Sequence, residues 1–303
     1  MKKGELKAEQ VAKMLPKRDS TSHKGQNGHV LVVAGCQQMP GAAFLASVGA
    51  LRAGAGLVTV ASIDSVCRIV ASQLPEVTFL CLPEKNGTIA PGAAEVLLEK
   101  KTHYRSALFG PGLSDHENIF KMLDQVFRSW DIPSCLDADV LNAVSQGILL
   151  PKIASVLTPH PGEMGRLLKL SVSEVQADRF GSIQRAVEKY NQNFILKGAQ
   201  SLAFGPSLET MFINPTGNAG MATGGMGDVL GGVVAALLGQ GLLADEAAAC
   251  GMYWHGLSGD LCAKGVGTIG YKASEVANFL PQARTELLKT LSSNRLLPTH
   301  RFV

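Results

Sequence analysis

Six short runs rich in β-branched and other apolar residues recur along the chain, each closed by Gly, Pro or a polar loop. They are HVLVVAG at 29–35, GLVTVAS at 56–62, RSALFG at 105–110, SCLDAD at 134–139, ASVLTPH at 154–160 and NFILKG at 193–198. Most are continuous rather than alternating. A strand with one wet face alternates apolar and polar side chains, whereas a strand covered on both faces is apolar throughout. Between the runs lie Ala/Leu-rich segments such as AAFLASVGALRAG at 42–54, with Gly54 placed to end the helix as a C-cap. Strand and helix in alternation predict an α/β fold with a mostly parallel central sheet flanked by helices on both faces. After residue 193 the pattern changes. FILKGAQSLAFGPSLETMFIN reads as an antiparallel hairpin at a sheet edge, followed by helices at about 228–239 and 244–263.

No Pro-, Ser- or charge-rich linker and no fixed-period repeat interrupts this pattern, so residues 1–303 read as a single domain. Residues 1–20 form a lead-in, the distinctive motifs occupy 22–276, and 281–303 read as a tail that frays after Leu280. The composition is 46% hydrophobic and 17% charged, which excludes a disordered chain. With 28 Lys+Arg against 25 Asp+Glu and no dense basic run, nucleic acid is not the expected partner. The charged N-terminus lacks the apolar core of a signal peptide, and the apolar stretch from Val229 to Gly239 is too short to span a bilayer. Cys36, Cys67, Cys81, Cys135, Cys250 and Cys262 stand apart without metal-type spacing and read as small buried hydrophobes in a reducing compartment. A soluble, cytoplasmic protein is expected, with no membrane partner.

Glycine is over-represented, with 33 residues of 303 against a usual ~7%, and it clusters. The densest cluster lies in NPTGNAGMATGGMGDVLGGVVAALLGQG at 214–241. There Gly217, Gly220, Gly224, Gly225 and Gly227 precede Asp228 and an apolar helix. A Gly-rich turn running into a helix N-terminus offers unpaired N–H groups and the positive end of the helix dipole, an anion hole suited to a phosphoryl group. Asp228 then reads as a base taking a proton from a substrate hydroxyl, or simply as a carboxylate stabilising the helix start. The segment is not a Walker A loop, and the GAG at 54–56 sits between helix and strand, the wrong order for a dinucleotide fingerprint.

Ligands in open α/β sheets bind beyond the carboxyl ends of the strands, and the unusual loops here follow the candidate strands. TPHPGEMGRLL at 158–168 sets His160 and Glu163 at a strand–helix junction, as ligand groups or as helix-start residues. In LDADVLN, Asp137 or Asp139 could help hold a hydrated Mg²⁺, or could form an Asx turn into the next helix.

Taken in order, HKGQNGHVLVVAG, MPGAA, FGPGLS, LDADVLNAV, LTPHPGEMGRLL, ILKGAQS and GNAGMATGGMGDVLGG resemble the ADP/ATP-dependent NAD(P)H-hydrate dehydratases, members of the ribokinase-like superfamily. The match runs from about Ser22 to Val276. The resemblance implies a ribokinase-like fold and an ADP-dependent lyase acting on the hydrated cofactors NADHX and NADPHX. A nucleotide phosphorylates the added C6 hydroxyl, and phosphate then leaves to restore NADH or NADPH. By the same resemblance Asp228 is the catalytic Asp, and the backbone of Gly225, Met226 and Gly227 forms the anion hole. Relatives often carry Thr or Ser where Met226 stands, a change of little consequence for a hole built from backbone amides. Ala42 or Ala43, Gly112, His160 and Asp228 fall at hydrate-binding positions. Lys197, Gly198, Ala199, Gln200 and Ser201 fall on the ADP loop, with Gly227 beside the phosphate; independently of the resemblance, Glu163 and Asp137 are the carboxylates expected to hold Mg²⁺ through water. Also implied are ADP or ATP as co-substrate, a homotetramer, and a separate NAD(P)H-hydrate epimerase as functional partner, since the motifs begin only about twenty residues into the chain. The alternatives are a small-metabolite kinase of the hydroxyethylthiazole or vitamin-precursor type and a nucleotide-sensing protein without turnover.

Overall fold

The computed structural model describes residues 2–293. The chain opens with β1 (Lys2–Glu5) and α1 (Ala8–Met14), then enters the predicted alternation. First come β2 (His29–Val33), α2 (Pro40–Arg52), β3 (Leu57–Ser62), α3 (Asp64–Ala71) and β4 (Thr78–Cys81). A small hairpin of β5 (Glu84–Lys85) and β6 (Thr88–Ile89) and helix α4 (Ala93–Lys100) lead to β7 (Ser106–Phe109) and α5 (Glu117–Phe127). Then follow β8 (Ser134–Leu136), α6 (Asp139–Ser145), β9 (Val156–Leu157), α7 (Pro161–Leu168), α8 (Val172–Ala177) and α9 (Arg179–Tyr190). Strands β10 (Asn193–Leu196), β11 (Leu202–Phe204) and β12 (Thr210–Ile213) precede α10 (Met226–Gly239), α11 (Ala244–Gly265) and α12 (Ala273–Ser293).

The main sheet has ten strands in the order β1-β12-β11-β10-β9-β8-β7-β2-β3-β4. Only β11 runs against the rest. The continuous apolar runs are the inner strands, and Val30 to Val33 and Ala107 to Phe109 are wholly buried. Helices α10 and α11 pack against strands from β2 to β11, and α9 covers β10 and β11 from the other face. From β2 the chain builds outward through β3 and β4, then returns to the other side of β2 with β7 and continues through β8 and β9 to β10. The order of connection thus reverses between β2 and β7, and in open α/β sheets the crevice beyond the strand ends at such a point takes ligands.

Helix α10 lies against α2 with almost no side chain between them. A Cβ on Gly232 would run into the backbone of Ala46 and Ala50, and one on Gly49 into the backbone of Val229. This backbone-to-backbone seam carries the Gly-rich helix start to the crevice.

The edges differ from the sequence reading. The β11–β12 hairpin is not outermost: β1 pairs in parallel with β12, from Lys2 opposite Thr210 to Glu5 opposite Ile213. The lead-in is thus part of the sheet, hidden from pattern reading because KKGE has no apolar alternation. At the opposite edge lies β4, also unpredicted. Cys81 sits there and is exposed, against the expectation that all six thiols are buried; the other five are. Helix α12 runs through Pro281 to Ser293, past the point at which fraying was expected, because Val276, Ala277, Leu280, Ala283 and Leu287 form a buried face. The rest of the predicted tail, 294–303, lies outside the described residues. Among the described residues no helix is long and apolar enough to cross a membrane.

Candidate functional site

The glycines before α10 have different tasks. Gly225, the N-cap, has φ +86°, a left-handed conformation that favours glycine, and it offers no side chain to cap the first-turn amides. Gly227 lies inside the first turn with ordinary helical backbone, so a positive φ is not its requirement; its role is clearance. A Cβ there would lie 3.3 Å from Lys197 Nζ and 3.5 Å from Asp137 Oδ2. The helix start thus faces an ammonium and a carboxylate across a gap that only a missing side chain leaves open.

Asp228 stands in the first turn of α10, half-buried. Burial first, then the charge of Asp137, raise its pKa to about 7 against the opposing pull of Lys197. A carboxyl group poised there exchanges a proton readily near neutrality. Asp137, at the end of β8, is 1% exposed, and its Oδ1 accepts hydrogen bonds from Thr158 Oγ1 at 2.7 Å and Lys197 Nζ at 2.8 Å. Lys197 follows β10 and its Nζ also lies 3.7 Å from Glu163 Oε2. Burial depresses the Lys197 pKa, but the two carboxylates outweigh burial and hold it above its ordinary value. The ammonium therefore stays charged beside the helix start.

Glu163 and His160 form one capping unit. His160 Nδ1 accepts from the backbone N–H of Gly162 at 3.0 Å and of Glu163 at 3.4 Å, while Glu163 Oε2 accepts from the His160 backbone N–H at 2.7 Å. With Nδ1 occupied as an acceptor, a neutral His160 carries its proton on Nε2, in a side chain 50% exposed. Burial first, then Lys197 and Arg166, lower its pKa, so the neutral form prevails. Glu163 is 5% exposed, and burial pushes its pKa up to about 7 against the pull of Lys197. The backbone N–H of Lys197 also donates to Pro159 O at 2.8 Å, which ties the two loops together.

The loop after β2 meets the loop after β7. Gly35 N–H donates to Pro111 O at 2.8 Å, and Gly112, with φ +63°, packs its backbone against Ala42 and Met39. Of the two alanines expected at the hydrate site, Ala42 is half-buried next to Gly112, whereas the Ala43 side chain is wholly in the core and is set aside as a side-chain contact. Asp139 is also accounted for structurally: its Oδ2 accepts from Ser114 N–H at 2.8 Å and its Oδ1 from Asn142 Nδ2 at 3.3 Å. Between the two aspartates Ala138 holds φ +51°, a backbone strain at the β8 carboxyl end.

A cavity of about 530 Å³ opens on the other side of Lys197. Lys197, Gly198, Ala199, Gln200, Ser201 and Gly227, the residues the sequence assigns to the nucleotide, all line it. The segment from Asn214 to Ala219, together with Met226, Leu230, Met252 and His255, completes the wall. Arg179 donates through Nη2 to Leu196 O and Lys197 O at 3.2 and 3.3 Å, clamping the start of the 197–201 loop. Asp260 accepts from Gly217 N–H and Asn218 Nδ2, both at 2.9 Å, and so fixes the start of the Gly-rich loop. Thr158, Arg179, Asp260 and His255 were not singled out from sequence. Thr158, Arg179 and Asp260 act through partners distant in the chain, and only His255, a lone imidazole in the small and aromatic run ACGMYWHGLSGD, leaves a local trace.

Among the described residues no group of three His, Cys, Asp or Glu side chains could hold a metal. Asp137 and Glu163, the carboxylates expected near a water-bridged Mg²⁺, both face the Lys197 ammonium, at 2.8 and 3.7 Å.

The family model for NAD(P)H-hydrate dehydratase matches residues 30–282. The bifunctional NAD(P)H-hydrate repair enzyme of Moorella thermoacetica is 39% identical over 271 residues, covering 88% of this chain and 51% of that one. The chain thus spans about half the length of such bifunctional relatives. The ADP-dependent (S)-NAD(P)H-hydrate dehydratase of Bacillus subtilis is 33% identical over 276 residues, covering 90% of this chain and 95% of that one. The crystal structure of the Bacillus subtilis ADP/ATP-dependent NAD(P)H-hydrate dehydratase, co-crystallised with ATP/Mg²⁺, superposes with a TM-score of 0.81 at 30% identity, over 95% of this chain and 99% of that one. A ribokinase-like superfamily protein from Enterococcus faecalis gives a TM-score of 0.82 at 26% identity, over 93% and 95%.

Proposed function

Because the chain belongs to the NAD(P)H-hydrate dehydratase family, we propose that it is an ADP-dependent lyase that returns (S)-NADHX and (S)-NADPHX to NADH and NADPH. The observation that carries the reading is the juxtaposition at the start of α10: a carboxyl group with a pKa of about 7, next in the chain to a glycine kept bare beneath a half-buried ammonium. That arrangement suits phosphoryl transfer to a hydroxyl.

In this reading Asp228 takes the proton of the C6 hydroxyl, and the oxygen attacks the terminal phosphorus of ADP, releasing AMP. The first-turn amides from Gly225 to Gly227 and the Lys197 ammonium stabilise charge on the transferring group. The C6–O bond then breaks with phosphate as leaving group, and loss of a C5 proton closes the ring double bond. His160, Ala42 and Gly112 belong to the hydrate side, and the cavity lined by Lys197 to Ser201 takes the nucleotide. His160 presents its Nε2–H to an acceptor on the hydrate. A divalent ion would enter with the nucleotide's phosphates, with Asp137 and Glu163 placed to hold its water shell; no step is assigned to it. The same reading makes residues 1–303 one domain, the location cytoplasmic, the assembly a homotetramer, and a separate NAD(P)H-hydrate epimerase the supplier of the (S) epimer.

The test is direct. Purified protein, hydrated NADH, Mg²⁺ and ADP should return the reduced-nicotinamide absorbance with one phosphate released per cofactor restored. Running ATP and hydrated NADPH in parallel ranks donors and substrates. A stable phosphorylated hydrate that accumulates without absorbance would instead make the protein a simple kinase.

A further inference from the structure

We propose that His255 of α11 is a nucleotide-binding residue, pairing with a hydrogen-bonding group of the nucleoside half rather than with phosphate. The inference rests on the reading of the 530 Å³ cavity as the nucleotide pocket. His255 lines that cavity and is 7% exposed. Its Nε2 is buried without any hydrogen-bond partner, a condition shared among the described residues only with Ser65 Oγ and Asn193 Oδ1. Core histidines normally satisfy their ring nitrogens with backbone or side-chain partners, and a buried polar atom left unpaired is destabilising. Nε2 is closed off from the cavity in the ligand-free protein, so the ring turns to present it when a ligand supplies the missing partner, which recovers that loss on binding.

The chemistry of the wall selects which part of the ligand. The wall that His255 shares includes Met226, Leu230 and Met252 together with Asn214 and Thr216, a mixed apolar and hydrogen-bonding lining. Burial first, then the charge of Lys197, push the His255 pKa down to about 4, so the ring is neutral at working pH. A neutral imidazole donates one hydrogen bond and accepts another, which matches a sugar hydroxyl or a base edge. A phosphate is served instead by the Lys197 ammonium beside Gly227, and a neutral ring brings it no charge.

Calorimetry on His255→Met and His255→Gln, with ADP and with inorganic pyrophosphate as probes, tests the assignment. Methionine keeps the apolar volume and removes both ring nitrogens. It should raise the ADP Kd about tenfold and leave pyrophosphate binding unchanged, while Gln, with an amide near the Nε2 position, should recover most of the loss. Ligand-free His255→Met should melt no lower than the wild type, since it sheds an unpaired polar atom; a purely structural histidine would give the opposite sign. If the defect disappears with 2′-deoxy-ADP the partner is the 2′-hydroxyl, and if it persists the partner is the 3′-hydroxyl or the base; either supports the assignment. Unchanged ADP affinity, or equal losses for ADP and pyrophosphate, would overturn it. Should His255→Met not fold, ¹⁵N-histidine spectra of the wild type decide: a His255 ring shift on adding ADP but not pyrophosphate supports the assignment, and no shift with ADP refutes it. A wild type that binds no adenine nucleotide would instead remove the reading of the pocket itself.

Discussion

Replacing Gly227 with alanine should make the protein more stable and much less active. The position has helical backbone, so the methyl brings no conformational strain. It should instead stabilise α10 by roughly 0.5–1 kcal/mol through the lower entropy of the unfolded chain and better helix propensity. The nearest neighbours of the new Cβ are Lys197 Nζ at 3.3 Å and Asp137 Oδ2 at 3.5 Å. The first contact is with the end of a flexible side chain, which yields by a few tenths of an ångström and subtracts little from the gain. For a chain of this size the net effect is a rise of about 2 °C in Tm. The same methyl, however, fills the gap between the helix start and the ammonium. A phosphoryl group seated there would be displaced by about 1 Å, and such a misplacement costs about 10²-fold in rate. Calorimetric melting and initial rates of cofactor recovery against ADP concentration read both effects. A variant with raised Tm and kcat/KM for ADP within about twofold of the wild type would show that no phosphate sits at Gly227.

Asp228→Asn should lower kcat by roughly 10²-fold or more while ADP binding persists, because it removes the base and keeps the shape. Its native pKa of about 7 lies above the free value, so the neutral form is the one that the fold favours. The stability from this group is full below about pH 4 and is lost as pH rises through about 7; Asp228→Asn should therefore melt above the wild type at pH 8, the gap closing towards pH 4. In the wild type kcat/KM should fall below an apparent pKa near 7, and a profile flat down to pH 5 would dismiss Asp228 as the base. Lys197→Met should move that acid limb to higher pH, and should destabilise the fold by about 3–5 kcal/mol by leaving Asp137 and Glu163 without their cation. An unmoved limb would separate Lys197 from Asp228 electrostatically. His160→Ala should cost about 1 kcal/mol of stability with the loss of the α7 cap, and should raise the hydrate KM up to about tenfold with ADP affinity within about threefold. Collapse of ADP binding would move His160 to the nucleotide side.

How much of this was legible beforehand depends on where the information lies. Strands such as Val30 to Val33 announce themselves because burial on both faces leaves no polar residue in the run. Lys2 to Glu5 do not, since an edge strand of charged residues takes its order from β12, more than 200 positions later. The Gly-rich turn and Asp228 were readable as a local pattern, but the two tasks of Gly225 and Gly227 were not, for one is a matter of φ and the other of what lies opposite. Chain position assigned Lys197 to the nucleotide loop, and the loop does line the cavity. Its ammonium nonetheless reaches across to Asp137, 60 positions earlier, a partnership that no window of sequence contains. Ala43 and Asp139 were carried by motif adjacency, and burial and hydrogen bonding then separated them from Ala42 and Asp137.

The seam between α2 and α10 fixes a length. Because the closest approach is between main chains, at Gly49 and Gly232, the separation of the two helices is set by atoms common to every residue and not by side chains that drift. One helix carries Ala42 near its start and the other carries Asp228 in its first turn. The distance between the hydrate side and the phosphate side is thus insulated from substitution almost anywhere else on either helix. Helix sliding is closed off as a way of adjusting it, since a shift along the seam would drive a neighbouring Cβ into main chain. An opening that admits or releases reactants is therefore left to segments off this seam, such as the 197–201 and 214–219 walls of the cavity.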